Sequence, residues 1–307
     1  MEKVIVVIGP TSVGKTKMGV ALAKKFNGEV ISGDSMQIYK QMDIGTAKVT
    51  EEEKEGIIHH CVDILNPDET YSVHDFQQTV RKKITEITQR GHVPIIVGGT
   101  GLYIKAALYD YQFDEMENDH HAINEKYKDY TNEQLHDHLK SIDEESAKIL
   151  HFNNRRRVLR AIEIYETTGK RKSEMLEEQE HVCLYDAYFV GLTLPRDILY
   201  ERINKRVDVM MKNGLKEEMD QLYSQGLTRN HQSMKAIGYK EWFDYYDRQI
   251  DLNDVLELIK KHSRQYAKRQ YTWFKNQFDV HWYDVNLENF EQTIEQVTDD
   301  IEKILKV

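Results

Sequence analysis

The sequence predicts an α/β fold, in which a P-loop NTPase-like parallel sheet is flanked by helices and carries a helical insertion domain. Three observations support this prediction. A glycine-rich motif at residues 9–16 directly follows a short apolar segment. Over the first 110 residues, short apolar segments alternate with amphipathic ones, which is the order of a parallel sheet covered on both faces. Between residues 114 and 182 the charge pattern changes abruptly, which indicates an inserted segment.

The composition fits a globular protein, since 40% of the 307 residues are hydrophobic and 31% are charged. This length suggests roughly two domains. We expect no signal peptide, because the first apolar run is short and leads straight into the glycine-rich motif. No segment approaches the roughly 18 apolar residues of a membrane span. Two distant cysteines, Cys61 and Cys183, form neither a metal-type pair nor a disulfide framework, so we expect a cytoplasmic protein.

The first predicted strand leads into a phosphate-binding loop. Residues 4–8 form an apolar, β-branched run that is typical of a buried parallel strand. The pattern G-x-x-x-x-G-K-[ST] follows and comprises Gly9, Pro10, Thr11, Ser12, Val13, Gly14, Lys15 and Thr16. Apolar residues at helical spacing over 18–26 place the loop at a helix N-terminus, which favours anions. Lys15 can reach terminal phosphate oxygens and the Thr16 hydroxyl can bind Mg²⁺, but the loop does not reveal which phosphate is bound.

Two further predicted strands end in polar residues. Residues 29–32 lead into Asp34, and residues 93–97 lead into Thr100. Because ligands sit at the carboxyl ends of parallel strands, Thr16, Asp34 and Thr100 can converge. From its position alone, Asp34 fits a magnesium ligand, a general base or a loop cap equally well. The strand over 93–97 ends without a carboxylate, which argues against an ATP- or GTP-driven switch and favours a transferase of a small phosphate ligand.

Between these strands, the sequence predicts a histidine segment and a helix. Residues 73–90 have one apolar face, and Gly91 ends the predicted helix. His59 and His60, with Asp63, are a possible metal cluster. Adjacent histidines on a strand point to opposite faces, so we favour a structural role for them.

The middle of the chain is predicted to be a helical insertion over 114–182, with the core formed by 1–113 and 183–307. The first part is acidic, and its predicted apolar anchors are Leu135, Leu139, Ile142 and Ile149. The part from 153 to 172 is basic. The apolar run at 186–192 predicts a return to the sheet.

The remainder of the chain is predicted to be mostly helical. Residues 259–275 combine basic and aromatic side chains, and the last segment has core spacing at Phe290, Ile294, Val297, Ile301 and Leu305. The net charge of −10 argues against a general nucleic-acid binder. Nevertheless, this segment and the arginines of 155–160 are two local basic regions that suit RNA or nucleotide contact better than a merely solvated surface. We expect His262 to be a surface residue.

Three arginines follow the predicted return strand, namely Arg196, Arg202 and Arg206. Arg202 and Arg206 lie at i and i+4 on one helix face. They can clamp a diphosphate through paired hydrogen bonds, or form a surface ion pair with a residue such as Glu201.

Short motifs continue along the chain in a definite order. After the P-loop come Gly33-Asp34-Ser35-Met36-Gln37-Ile38-Tyr39-Lys40, Met42-Asp43-Ile44-Gly45-Thr46-Ala47-Lys48, His59-His60-Cys61-Val62-Asp63, Tyr71-Ser72-Val73-His74-Asp75-Phe76, Gly98-Gly99-Thr100-Gly101-Leu102-Tyr103, Arg157-Val158-Leu159-Arg160-Ala161, Ala236-Ile237-Gly238-Tyr239-Lys240-Glu241 and Tyr266-Ala267-Lys268-Arg269-Gln270. From residue 4 to about residue 275, this series resembles the bacterial tRNA dimethylallyltransferase family, also called tRNA isopentenyltransferases. None of the motifs is specific alone, but together they are.

The resemblance implies transfer of a dimethylallyl group from dimethylallyl diphosphate to N6 of the adenosine immediately 3′ of the anticodon in tRNA. It implies that the nucleotide- or ATP-binding motif holds the diphosphate leaving group with Mg²⁺, through residues 9–16 and an arginine of the 196–206 region. Asp34 matches the family's general base, and Thr100 matches a position beside the target base. Lys15 would stabilise the leaving group. The implied tRNA contacts are Asp34, Ser35, Met36, Gln37, Thr100, Arg157, Val158, Leu159, Arg160 and Ala161, with the insertion gripping the anticodon stem-loop.

Three other functions are also compatible with a P-loop in this sequence. A small-molecule P-loop kinase would phosphorylate its substrate with ATP and need no RNA. A prenyl transferase acting on free adenylate would not need the insertion or the basic aromatic helix. A nucleotide-gated RNA-binding protein would form no covalent product. The sequence does not give the oligomeric state, for which a monomer is our default expectation.

Overall fold

A computed structural model of the chain describes residues 1–111, 120–177 and 181–305. The chain forms two compact units. One unit comprises Met1–Tyr109 together with Cys183–Val307, and the other comprises Asp110–Val182. The boundaries predicted from the sequence fall after residues 113 and 182, close to these. The acidic residues 114–119 of the expected insertion lie outside the described residues.

The first unit contains a six-stranded, entirely parallel sheet with the order β3-β2-β4-β1-β5-β6. Its strands are β1 (Lys3–Ile8), β2 (Gly28–Ser32), β3 (His59–His60), β4 (Val93–Val97), β5 (Asp186–Thr193) and β6 (His281–Asp284). The predicted α/β class and the parallel sheet are confirmed. β6 was not predicted, because its sequence His-Trp-Tyr-Asp lacks the apolar, β-branched run of a central strand.

The helices, numbered along the chain, are α1 (Lys15–Lys25), α2 (Glu51–Lys54), α3 (Val73–Gln89), α4 (Gly101–Leu108), α5 (His120–Lys126), α6 (Asn132–Ile142), α7 (Glu144–Ile149), α8 (Arg155–Thr168), α9 (Lys172–Glu177), α10 (Arg196–Lys212), α11 (Leu215–Ser224), α12 (Trp242–Tyr246), α13 (Leu252–Gln277) and α14 (Phe290–Leu305). None of those in the described ranges is both long and apolar enough to cross a membrane.

Alternate residues of the strands point into two apolar cores, one on each face of the sheet. Val6 of β1 packs in the core that contains α3 and α4, whereas Val7 packs in the core that contains α1 and α14. The predicted tail helix does pack on the body, since Val297 and Ile301 are fully buried. Both faces of the sheet are covered, so its carboxyl edge remains as the place for a ligand.

The helix α3 shows how local sequence sets the bounds of an element. Ser72 and Asp75 form a reciprocal capping box at its start. Its apolar residues recur at helical spacing, and Phe76 and Ile84 are fully buried. The chain leaves the helix at Gly91, whose φ of 79° favours glycine.

The second unit, described by itself, has a core built by α5 to α8. Leu135 and Leu139 are fully buried there, as predicted. Ile142 is partly buried against the same core. The prediction that Ile149 is an apolar anchor is wrong, because its side chain is 80% exposed. α7 is a short helix that buries Ala147, and Ile149 lies on its opposite, solvent-facing side.

Candidate active site

The P-loop lies at the carboxyl end of β1 and wraps the N-terminus of α1. Gly9 and Gly14 have φ values of 143° and 109°, which strongly favour glycine. A Cβ atom on Gly9 would also lie 2.5 Å from the carbonyl oxygen of Leu192, so the loop passes close to β5. These two glycines therefore let the backbone turn tightly beside the sheet edge.

Lys15 is the one cationic residue of the P-loop, residues 9–16. Its Nζ donates a hydrogen bond to the carbonyl oxygen of Pro10 at 2.8 Å. Burial and, to a lesser extent, the positive charge of Arg206 lower the pKa of Lys15 to about 7, although the negative charge of Asp34 opposes both. A buried ammonium group with so few anionic partners is well suited to receive a phosphate oxygen.

Two cavities meet at this edge of the sheet. The first has a volume of about 540 Å³ and the second about 330 Å³. The first is lined by most of the P-loop, including Lys15 and Thr16, and the second by α10, α13 and the segment 235–240. The residues that line both cavities are Thr11, Ser12, Asp34, Thr46, Ala47, Arg206 and Tyr266. The site thus has two compartments with a shared wall.

Asp34 lies in that shared wall, immediately after β2. Its Oδ1 accepts hydrogen bonds from the backbone N–H groups of Met36, at 2.8 Å, and Gln37, at 3.4 Å. Of the three roles that the sequence left open, the loop cap is therefore observed. Both bonds use Oδ1, so the cap leaves Oδ2 for another role. Asp34 and Thr16 both line the first cavity, and carboxylate and hydroxyl oxygens are ligands that Mg²⁺ prefers.

Thr100 is in direct contact with this turn. Its Oγ1 accepts a hydrogen bond from the backbone N–H of Ser35 at 3.2 Å and donates one to the Ser35 hydroxyl at 3.4 Å. Among the residues that the structure describes as lining the two cavities, Ser35 lines the second and Thr100 lines neither. Thr100 therefore contacts the Asp34 turn through Ser35.

The helix α13 contributes two residues of the motif Tyr266-Ala267-Lys268-Arg269-Gln270, neither of which was predicted from the sequence to have a role in the site. Gln270 is buried; its Oε1 accepts from the backbone N–H of Thr11 at 2.9 Å, and its Nε2 donates to the Gly99 carbonyl at 3.0 Å. Tyr266 donates to the same carbonyl at 3.3 Å. Burial, with the charge of Asp34 adding to it, raises the pKa of Tyr266 to about 12. The sequence feature that could have identified this pair is their i, i+4 spacing, which places both on the same helix face as the buried Ala267.

The three candidate arginines lie on α10 in different surroundings. The Nε of Arg202 donates to the Ser12 carbonyl at 3.0 Å, and the Nη1 of Arg206 donates to the Thr11 hydroxyl at 3.4 Å. Both line the first cavity, and burial lowers the pKa of Arg206. Arg196 is exposed and stacks over the Tyr200 ring, 5.1 Å from its centre. The structure thus places two of the three arginines at the P-loop.

The segments expected to contact tRNA differ in exposure. Met36 lines the second cavity, and Gln37 lines the first. In the second unit, α8 carries Arg157, Val158, Leu159, Arg160 and Ala161. The three apolar ones are buried in the core of that unit, so their side chains face away from solvent. Arg157 is exposed, and Arg160 is half-buried and bonded to Glu163 at 2.8 Å. Of these five residues of α8, we therefore expect only the two arginines to contact tRNA through their side chains.

The histidines hold mainly structural contacts. The Nε2 of His60 lies 2.6 Å from a carboxylate oxygen of the buried Glu29. His59 lines the first cavity, and burial lowers its pKa. The expectation that His262 is a surface residue is wrong: it is half-buried, and its Nδ1 lies 2.6 Å from Oε1 of Glu241. Across residues 1–111, 120–177 and 181–305, no three His, Cys, Asp or Glu side chains cluster as metal ligands.

Comparison with known proteins agrees with this architecture. The family model for IPP transferases matches residues 37–277. The tRNA dimethylallyltransferase of Bacillus cereus (strain AH187) is 54% identical over 287 residues, which is 92% of this chain and 90% of that protein.

Solved structures match over the whole fold. The crystal structure of tRNA delta(2)-isopentenylpyrophosphate transferase from Staphylococcus epidermidis shares 47% identity, with a TM-score of 0.74, and 99% of each chain is covered. A eukaryotic dimethylallyltransferase acting on tRNA shares 33% identity with a TM-score of 0.86, covering 99% of this chain and 79% of the other. The motif series, the parallel sheet and these matches agree, and the chain belongs to the IPP transferase family.

Proposed function

We propose that this protein transfers a dimethylallyl group from dimethylallyl diphosphate to N6 of the adenosine immediately 3′ of the anticodon in tRNA, and releases diphosphate. Family membership and the names of its relatives support the reaction class. The single observation that carries the proposal at the level of residues is the position of Asp34. It lies in the wall shared by two cavities, one of which contains the P-loop. One compartment then takes the diphosphate donor and the other takes the base.

The P-loop and α10 would hold the diphosphate. Lys15 is half-buried beside the loop, and Arg202 and Arg206 donate hydrogen bonds to Ser12 and Thr11, so three cations lie around the backbone N–H groups of the loop. As the bond to the dimethylallyl carbon breaks, negative charge grows on the leaving oxygen, and fixed donors stabilise that charge. Thr16, which lines the first cavity, would hold Mg²⁺, which when bound would supply further neutralisation of the diphosphate.

Asp34 would act as the general base. The adenine N6 lone pair attacks C1 of the dimethylallyl group, the C1–O bond breaks, and the electron pair leaves with diphosphate. The N6 proton goes to the Asp34 carboxylate as the new C–N bond forms. The hydrogen bond from Met36 to Oδ1 holds the carboxylate in the shared wall, so the carboxylate is already oriented before the reaction begins.

The RNA must present an unpaired base to this site. An adenosine within the anticodon loop has to leave its stack to enter a cavity, as in other enzymes that act on bases. We assign the second unit, with Arg157 on its surface, to the phosphates of the anticodon stem-loop. Free thiols at Cys61 and Cys183 fit a cytoplasmic enzyme, and we propose that it works as a monomer.

The decisive experiment is mass spectrometry of the nucleosides of unmodified tRNA after incubation with the protein, Mg²⁺ and dimethylallyl diphosphate. We expect one dimethylallyl group on one adenosine, and none when the diphosphate substrate is withheld. The same assay with AMP in place of tRNA separates RNA modification from prenylation of free adenylate. Consumption of ATP on a small-molecule panel, with no modified adenosine, would refute the proposal in favour of a kinase.

A further inference from the structure

We infer that Glu218, on α11, is a positioning residue for the transfer reaction. The inference rests on the proposed function and concerns the loop over residues 43–47, called the wall loop here. Thr46 and Ala47 of this loop line both cavities, and Gly45 lines the second. Glu218 itself lines neither cavity within the described chain, so it acts on the site through the wall loop.

The carboxylate of Glu218 accepts four hydrogen bonds. Its Oε2 accepts from the backbone N–H groups of Asp43, at 2.9 Å, and Ile44, at 2.7 Å. Its Oε1 accepts from the backbone N–H of Gly45 at 3.0 Å and from the Tyr239 hydroxyl at 2.6 Å. A carboxylate only accepts, and bonds to a charged acceptor are the stronger kind. One side chain therefore fixes three consecutive backbone groups of the wall loop.

Tyr239 adds a steric constraint to these bonds. It is fully buried, and a Cβ atom on Gly45 would lie 2.5 Å from its ring, so the wall loop packs directly on the tyrosine. Tyr239 is held in turn by its own segment, where Oε2 of Glu241 accepts from the backbone N–H of Gly238 at 2.9 Å. The wall loop is thus clamped between α11 and a rigid turn.

The other end of the wall loop connects to Asp34. The Nε2 of Gln37 donates to the carbonyl oxygens of Ala47, at 3.2 Å, and Thr46, at 3.4 Å. The backbone N–H of the same Gln37 is one of the two groups that Asp34 caps. A shift of the wall loop therefore reaches the carboxylate of Asp34 through one intervening residue, and it also reshapes the wall of both cavities.

The variant Glu218→Gln tests this arrangement with almost no change in size. A glutamine amide has one acceptor oxygen and one NH₂ donor, so one pair of the four donors would lose its acceptor and face another donor. We expect kcat to fall about tenfold, because displacements of about 1 Å near a reacting group are costly. KM for dimethylallyl diphosphate should stay within about twofold, since the P-loop is held by other residues. Glu217→Gln, at an exposed position on the same helix, is the matched control and should leave both constants unchanged.

Transfer is measured with saturating tRNA at a temperature well below the unfolding midpoint of each variant. Loss of kcat with an unchanged KM for the diphosphate supports positioning, because a purely structural role would lower the unfolding midpoint and leave kcat of the folded enzyme intact. A Glu218→Gln enzyme with the kcat of wild type overturns the inference. If that variant does not fold, Glu218→Asp keeps the charge but withdraws both oxygens from the wall loop by one methylene, and an unchanged kcat in it overturns the inference equally. No transfer by the wild-type protein would instead refute the proposed function.

Discussion

The two ends of the candidate site are built in different ways. The anion end is mostly one continuous segment, residues 9–16, to which α10 adds two arginines. The end around Asp34 is assembled from the turn after β2, the wall loop, the segment 235–240 and α13. Binding of an anion needs only backbone N–H groups and cations, which a short motif supplies. Orientation of a base needs groups from several elements, which only the folded chain brings together.

The largest loss is expected at the junction of the two ends. Asp34→Asn preserves an acceptor for the Met36 N–H, so the cap survives, but the group no longer takes a proton. Single-turnover transfer should fall by about 10²- to 10⁴-fold, the range for a general base. The dissociation constant for tRNA, measured by filter binding, should change little. Asp279→Asn, at an exposed position, is the control. Normal transfer by Asp34→Asn would show that the proton leaves by another route.

A change at the anion end alone should have a smaller and different effect. Lys15→Met keeps the bulk of the buried side chain and removes its charge. We expect kcat/KM for dimethylallyl diphosphate to fall about 10²-fold, as when one donor to a developing oxyanion is lost. Affinity for tRNA without the diphosphate should be retained. Lys24→Met, which removes an exposed cation on the same helix, should match wild type. Equal losses in tRNA affinity and in diphosphate use would mean that the two ends are not separable.

The arginines of α10 give a graded test of the same end. Arg206→Lys should have the largest effect of the three, about a tenfold loss in kcat/KM, because a lysine cannot reproduce the planar fork of this half-buried arginine. Arg202→Lys should cost a few-fold, since Arg202 is exposed and donates to the loop through Nε. Arg196→Lys serves as the internal control and should have no effect. Initial rates at varied diphosphate concentration measure all three, and a dominant effect at position 196 would contradict the geometry.

The sequence predicted most of the fold and the composition of the anion end. Strands β1, β2, β4 and β5 carry short apolar runs, and the P-loop is a local motif. Both features are contiguous in the sequence and can therefore be predicted from it. The burial of Ile149 was predicted wrongly because helical spacing shows which residues share a face but does not show which face is buried. His262 was misplaced because its partner, Glu241, lies on another element.

The two basic helices show the same limit. Both α8 and α13 were predicted from their arginines and lysines to contact RNA or nucleotide. In α13, the basic Arg269 does line the second cavity, but Tyr266 and Gln270 also line the site and connect α13 to the P-loop and to Gly99. In α8, the apolar residues of the motif at 157–161 are buried in the core of the second unit. Charge patterning identified the helices, but only burial separates their contacting residues from their packing residues.

The smallest effect on chemistry is expected at the opposite end of β2. The carboxylate of Glu29 is buried and accepts from Arg90 at 2.7 Å and from His60 at 2.6 Å. Burial alone would raise its pKa, but the bonds from Arg90 and His60 outweigh burial and hold the pKa below the usual 4.5. Glu29→Gln should leave transfer unchanged while lowering the free energy of unfolding by about 2 kcal/mol at pH 7.

The effect of Glu29 on the free energy of unfolding should depend on pH in a defined direction. A carboxylate whose pKa is lower in the folded state stabilises the fold above its unfolded pKa, and that contribution is lost as the pH falls through the folded value. Urea midpoints of wild type and Glu29→Gln should therefore differ at pH 7 and converge as the pH falls below about 4.5. A gap that is constant with pH would mean that packing at Glu29, and not its charge, stabilises the sheet. A loss of transfer at pH 7 in the folded variant would mean that the amino end of β2 is coupled to Asp34 at its carboxyl end, so that the two ends of the site do not account for the chemistry by themselves.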